Sequence, residues 1–217
     1  RDVAPSRGLG DVYKRQVAIC ACVVVVVLGW YSMGQLTVFS AEKEGILVEL
    51  PDHSVACLNR NTSLHYNRWG FRFFREVKLK GEAYFDVQKD TSRRFVVHLK
   101  ESNVTVLGTS FNIKAYGDED YIYTTLVEGK VCFTSEKKNE EVTLRPGMQS
   151  VLNLKSGKTE LKEVEVEQFT AWRQGRFVFP STTLGDLMCQ LKRWYDIDVV
   201  YLAPEVKGLS LIHISEP

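Results

Sequence analysis

In the stretch VTVLGTSFNIKAY, Val104 to Tyr116, apolar and polar residues alternate as in a buried strand, yet Gly108 followed at once by Thr109 interrupts them. A glycine inside a strand pattern usually marks a kink or a bulge. A hydroxyl placed directly after a glycine carbonyl also raises chemistry at that peptide bond. Other constellations are weaker. Glu82, Asp86 and Asp90 stand four apart in GEAYFDVQKD, and strand residues four apart share a face, so Glu82 and Asp86 could present a carboxylate pair of the glycosidase kind. The interleaved Ala83, Phe85 and Val87 favour the opposite reading, in which these three face the core and the acids face water. His53, His65 and His98 lack an H-x-H pair and fall in different turn and strand contexts, which argues against a metal cluster. There is no G-x-S-x-G, no P-loop and no dinucleotide fingerprint, and no cofactor is expected. The five cysteines, Cys20, Cys22, Cys57, Cys132 and Cys189, form no CxxC pair and suggest neither a zinc site nor a disulfide framework, with a Cys57–Cys132 bridge left open.

Alternating elements must position these residues. From Ile46 to about Leu154 short runs follow one another with turn residues between them: ILVEL closed by PDHS, SVACLN by RNTS, REVKLKG leading into EAYFDV, RFVVHL into KESN, YIYTTLVEG into KVCFTS. A period near two with turn signals every eight to twelve residues predicts an all-β sandwich, barrel or solenoid. The charged run EKKNEE, Glu136–Glu141, reads as a solvated hairpin loop. After Val164 the pattern changes. A strand is expected from Arg176 to Phe179, then a helix carrying Leu184, Leu187, Met188, Leu191 and Tyr195, with Thr183 and Asp186 as a capping-box variant, then a strand from Ile197 to Tyr201. This β-α-β unit would occupy residues 172–207, beside a main β domain over 46–160.

The chain is 217 residues with net charge +1, 44% hydrophobic and 25% charged residues, which is ordinary globular material with length for a sizeable core. Basic residues are dispersed, which argues against nucleic acid as a ligand. Val17–Met33, VAICACVVVVVLGWYSM, is seventeen residues without a charge, at the short end of what crosses roughly 30 Å of hydrocarbon. Lys14 and Arg15 precede it, and Trp30 and Tyr31 lie at its far end as interface anchors would. The favoured reading is an uncleaved membrane anchor; a signal-peptide h-region and a buried β-branched core segment are the alternatives. The positive flank places the N-terminus in the cytoplasm and the chain after Gln35 outside it. GDVYKRQ, before the apolar run, and LSLIHISEP, at the end, resemble translated sequencing-adapter read-through, so residues 1–16 and 208–217 stand outside the fold reading and the natural chain is expected to extend at both ends.

The blocks LPDHSVACLNRNTSLHY, REVKLKGEAYFDVQKD, RRFVVHL, VTVLGTSFNIKAY, TTLVEGKVCF, LRPGMQSVL and AWRQGRFVF come in the order and spacing of FecR-type anti-sigma factors, and the chain resembles that family from about Leu47 to Tyr201. The resemblance implies a single-pass inner-membrane signal transducer with a periplasmic β-rich domain. Its C-terminal subdomain would resemble the signalling domain of secretins and TonB-dependent transporters. The implied partners are an extracytoplasmic-function sigma factor, bound by a cytoplasmic N-terminal segment that the sixteen residues before the apolar run do not supply, and the signalling domain of an outer-membrane TonB-dependent transporter.

Some members of the family cleave themselves at a Gly-Thr bond in this block, which here implies Gly108 as the unhindered carbonyl and Thr109 as the nucleophile of an N–O acyl shift. No turnover enzyme is expected. Competing readings are a periplasmic glycan-binding or envelope-scaffolding β domain without a sigma factor, and a hydrolase. For the partner contact, β-augmentation is expected along an edge formed by Ile197, Val199 and Tyr201.

Overall fold

The computed structural model describes residues 9–40, 46–176, 178, 183–195 and 197–209. The adapter-like tail from 210 onward, and Phe177 and Phe179 of the strand expected at Arg176–Phe179, lie outside the described residues. A 25-residue helix, α1 (Leu9–Met33), comes first. Asp11, Lys14 and Arg15 occupy its first half, and among the described residues no helix is long and apolar enough to cross a membrane.

Among the described residues thirteen strands follow: β1 Gln35–Ser40, β2 Ile46–Glu49, β3 Val55–Leu58, β4 Thr62–Asn67, β5 Arg75–Asp86, β6 Phe95–Leu99, β7 Ser102–Val106, β8 Ser110–Ala115, β9 Tyr121–Glu128, β10 Val131–Ser135, β11 Glu140–Leu144, β12 Met148–Asn153 and β13 Thr159–Glu163. They form one continuous sheet that turns at β5. The first half of β5, Arg75–Lys80, pairs antiparallel with β4 and parallel with β6, and that half-sheet runs β1-β4-β5-β6-β7-β10-β11. Its second half, Gly81–Asp86, pairs antiparallel with β3 and β8, and the other half-sheet runs β2-β3-β5-β8-β9-β12-β13. Gly81 is the corner. Its φ of +115° is open to glycine, and a Cβ there would lie 2.4 Å from Thr62 Oγ1.

The strict alternation of β5 puts Arg75, Val77, Leu79, Gly81, Ala83 and Phe85 on one buried side. The two half-sheets close over a shared core in which Phe85 stacks on Phe111 with centroids 5.3 Å apart, and Phe95 meets both Phe85 and Phe71 at 6.1 Å. The mainly β expectation is met by a folded-over sheet. It starts at Gln35, ahead of the Ile46 where the alternation becomes legible.

Arg75 is a charged residue at a core position. Its side chain is fully buried, and Nε and Nη2 bond Asp52 Oδ2 at 2.7 and 2.6 Å, while Nη1 and Nη2 donate to the carbonyls of Arg93 and Gln88. Asp52 in turn accepts from the amide and hydroxyl of Ser54. Each of the three guanidinium nitrogens thus has an acceptor, which is what makes a buried charge tolerable.

After β13 come α2 (Val166–Thr170), a 3₁₀ turn at Ala171–Gln174 ended by Gly175 in the left-handed region, and α3 (Leu184–Tyr195). A 3₁₀ turn at Pro204–Gly208 packs on α3. The expected cap is present: the Asp186 amide donates to Thr183 Oγ1 at 3.2 Å and the Thr183 hydroxyl donates to the Asp186 carboxylate at 2.6 Å.

Candidate functional site

Gly108 joins β7 to β8 where residues 87–90 cross over the same backbone. The Val87 amide donates to the Thr109 carbonyl at 3.1 Å, and the Asp90 amide donates to the Leu107 carbonyl at 2.8 Å. Gly108 has φ +151°, and a Cβ on it would come within 2.6 Å of the Lys89 Cα. Conformation and crossing backbone therefore both require glycine here. A register shift between β8 and β9 at Ser110/Phe111 completes the bulge that the broken alternation announces. Thr109 is 5% exposed and its hydroxyl donates to the Lys130 carbonyl at 3.1 Å. Gly129, with φ +95°, lies under the same pair: a Cβ there would meet Thr109 Oγ1 at 2.8 Å and the Gly108 carbonyl oxygen at 3.0 Å. Two glycines and a buried hydroxyl thus pack one tight turn that admits no added side chain at either glycine.

The second polar centre lies on the outer face of the β3-β5-β8-β9 half-sheet, which the segment after β13 covers. Trp172, 9% exposed, donates Nε1–H to Asn112 Oδ1 at 3.2 Å. Asn112 Nδ2 donates to Glu82 Oε1 at 3.1 Å, and Asn59 Nδ2 donates to Glu82 Oε2 at 2.8 Å. Beside them the Arg173 guanidinium lies over the Tyr84 ring, 3.7 Å from its centroid. Burial pushes the Glu82 carboxyl above its ordinary value, against the opposing pull of Lys114 and of the two amide donors.

This corrects the reading of Glu82 as a water-facing acid. Ala83, Phe85 and Val87 do face the core, but on the opposite side of β5 Glu82 and Tyr84 are half-buried beneath Trp172 and Arg173, while Glu76, Lys78, Lys80 and Asp86 stay exposed. Glu82 and Asp86 form no carboxylate pair of the glycosidase kind: Glu82 is held by two asparagines and Asp86 accepts from Ser110. Alternation alone could not show this, since the cover comes from residues about ninety positions later. The signal that could have found it is the pairing of Trp172 with an asparagine at an outward strand position.

The C-terminal segment departs from the expected β-α-β unit. Helix α3 is present, but Ile197–Tyr201 forms no strand; Ile197 is exposed and Val199 and Tyr201 are half-buried. A strand exists through its ladder, and among the described residues no neighbour pairs with 197–201. The three residues are therefore not an observed sheet edge. Helix α3 reaches the β domain through Trp194, whose ring lies 4.8 Å from the Arg60 guanidinium.

Cys57 and Cys132 are free, on β3 and β10 of different half-sheets. His53 bonds Glu49, and His98 bonds Asn103 and Glu76. The aromatics of residues 69–74 divide: Phe71 is buried, while Trp69, Phe73 and Phe74 are 58, 73 and 70% exposed.

A folded-over β domain with a clasped C-terminal helical segment has clear counterparts. The model of the FecR protein family matches residues 37–132, and that of the FecR C-terminal region matches residues 176–211. Two crystal structures of a candidate anti-sigma factor from Parabacteroides distasonis are similar to this chain, each with a TM-score of 0.70 at 30% identity; they cover 74% and 75% of it and 75% of their own chains. No curated protein matches the chain. The chain belongs to the FecR family.

Proposed function

We propose that the protein is an anti-sigma signal transducer anchored in the bacterial inner membrane by α1, with its N-terminus in the cytoplasm and its β domain in the periplasm. In this reading the C-terminal segment receives a signal from the signalling domain of a TonB-dependent outer-membrane transporter, and the partner on the other side is an extracytoplasmic-function sigma factor. Family membership and the likeness to the Parabacteroides distasonis structures support the anti-sigma part. The observation that carries the relay is the Trp172 clasp, which ties the segment entering the C-terminal region to the face of the sheet. The uncharged part of α1 spans about 25 Å at about 1.5 Å per residue, slightly less than the hydrocarbon thickness of roughly 30 Å. Lys14 and Arg15 can make up the difference by snorkelling. Val23 to Leu28 are each more than half exposed, a surface that fits lipid.

The test is a reporter driven by a promoter of a candidate extracytoplasmic-function sigma factor, read in cells making the protein with its expected N-terminal extension, combined with capture of the chain by a purified transporter signalling domain. The expected result is that the extended protein silences the reporter and that the signalling domain binds the chain. A reporter indifferent to the extended protein would sink the anti-sigma reading, and lack of capture would sink the transporter relay.

Single-turnover cleavage at Gly108–Thr109 belongs to the same reading. Thr109 Oγ would attack the Gly108 carbonyl carbon, the Gly108–Thr109 C–N bond would break as the ester forms and the hydroxyl proton passes to the freed Thr109 amine, and water would then release a Gly108 carboxylate and restore the Thr109 hydroxyl. The junction sets a carbonyl whose residue carries no Cβ directly before a hydroxyl side chain. The Thr109 hydroxyl must first leave Lys130, because a carbonyl accepts a hydrogen bond but takes no proton. Intact-mass measurement on the purified chain is expected to show fragments ending at Gly108 and starting at Thr109; a single uncut chain would restrict the pair to packing.

A further inference from the structure

The segment Arg68–Phe74, RWGFRFF, leaves the end of β4 next to the point where α1 ends. Gly34 alone separates α1 from β1, and β1 pairs with β4 so that Gln35 stands opposite Asn67. Asn67 Nδ2 donates to the Tyr31 carbonyl at 3.0 Å, and the Arg68 amide donates to the Gly34 carbonyl at 2.8 Å. Gly34 is buried against the loop, and a Cβ on it would lie 2.5 Å from Trp69 Cδ1. The helix exit and the aromatic loop are thus one bonded unit.

Within the loop, a 3₁₀ turn at Gly70–Arg72 drives Phe71 into the core, where it meets Tyr66 edge-on at 5.8 Å. That plug turns Trp69, Phe73 and Phe74 outward. Tyr31 is 60% exposed, and Arg68 and Arg72 are exposed beside the rings. Asp90, the acid on the adjoining loop, is already engaged by Arg93, whose Nη1 donates to the Arg72 carbonyl.

From this arrangement we infer that Trp69, Phe73 and Phe74, with Arg68 and Arg72, seat the β domain on the headgroup layer of the membrane that holds α1. The occupant is the lipid surface itself, an inference that rests on the anchor reading above. Four observations select it. The patch is continuous with the helix exit, so with no linker at Gly34 it cannot lie far from the bilayer surface. Its chemistry is that of an interfacial belt, with amphipathic Trp and Tyr beside apolar rings. Its two exposed arginines complement anionic headgroups. A helix slightly short for the bilayer also draws the attached domain toward the interface.

The test uses the full chain reconstituted in vesicles of phosphatidylethanolamine and phosphatidylglycerol carrying brominated acyl chains. The difference in emission between the wild type and Trp69→Phe isolates Trp69. Its share is expected to lose most of its intensity to lipids brominated near the glycerol end and less to lipids brominated near the methyl end. Phe73→Ser/Phe74→Ser is expected to reduce that quenching. A Trp69 signal untouched by brominated lipid overturns the inference. Trp69 shielded from aqueous acrylamide yet unquenched by lipid overturns it too, in favour of a contact between copies of the chain. Alkaline carbonate extraction of the same vesicles separates the two levels: a chain that is retained while Trp69 stays unquenched refutes only the seating, and a chain that is extracted refutes the anchor and the seating together.

Discussion

Trp172 Nε1 and Asn112 Oδ1 lie 3.2 Å apart although sixty positions separate them in the chain. The tryptophan belongs to the segment that leads into the C-terminal region, and the asparagine to β8 of the sheet. Trp172→Phe, which keeps most of the ring but loses the donor, is expected to cost about 1 kcal/mol. Trp172→Ala is expected to cost about 3–5 kcal/mol if the clasp unfolds together with the domain. If the clasp opens by itself, the variant instead shows faster proteolysis near residues 173–176 with an unchanged unfolding midpoint. Urea unfolding and limited proteolysis read both.

Glu82 makes stability depend on pH with a sign opposite to that of most carboxylates. Its folded pKa is raised above the ordinary 4.5, mainly by burial. The native state therefore holds this proton to higher pH than the unfolded chain does. That contribution is present below the unfolded pKa and is lost as pH rises through the folded pKa. Glu82→Gln removes the titration, and its urea midpoint is expected to vary less than the wild type's as pH rises from 4.5. A wild type and variant with parallel pH profiles would contradict this.

Arg75 and Asp52 form an ion pair whose side chains are 0% and 7% exposed. Asp52→Ala leaves the guanidinium buried with its carbonyl partners alone, and about 3–5 kcal/mol of stability is expected to disappear. A double-mutant cycle with Arg75→Met is expected to recover part of that loss, because the second change removes the stranded charge.

Gly108→Ala is expected to destabilise the domain by about 1–3 kcal/mol from backbone strain alone, with more from the contact at Lys89. Gly147 has φ +83° but nothing within 4 Å of an added Cβ, which makes Gly147→Ala the control for strain without collision. Thermal unfolding of the two variants separates conformation from crowding, with Gly108→Ala expected to be the more damaged.

The period-two alternation made most strands legible, because the core side of each half-sheet takes an apolar residue at every second position while the other side, even where Trp172 covers it at Asn112, stays polar. It also made the β8 bulge legible, since Gly108 breaks the pattern where the turn requires a positive φ. The helix at Leu184–Tyr195 was readable from its 3.6-residue spacing and from the Thr183 cap. What alternation could not show was that β5 serves two half-sheets, because both halves of that strand carry the same pattern and only Gly81 marks the corner. Nor could it place β1 at Gln35–Ser40, which follows α1 without a turn signal beyond Gly34. Ile197–Tyr201 reads as extended by composition, yet strand formation needs a pairing partner that local sequence does not supply. Of the candidate site, the Gly108–Thr109 junction was visible in the sequence. The Glu82–Asn112–Trp172 network was not, because it depends on a distant segment folding over an outward face.

The corner strand also has a mechanical meaning. Helix α1 attaches to one half-sheet through β1, the Trp172 clasp grips the other through β8, and the hydrogen-bonded route between them passes through β5. A tug on the C-terminal segment would therefore load the ladders on both sides of Gly81 before any of it reached the helix. Either the tryptophan lets go first, acting as a fuse that spares the domain, or the strain arrives at the joint between the two halves. The weakest link along that line sets how much force the molecule can pass on without coming apart.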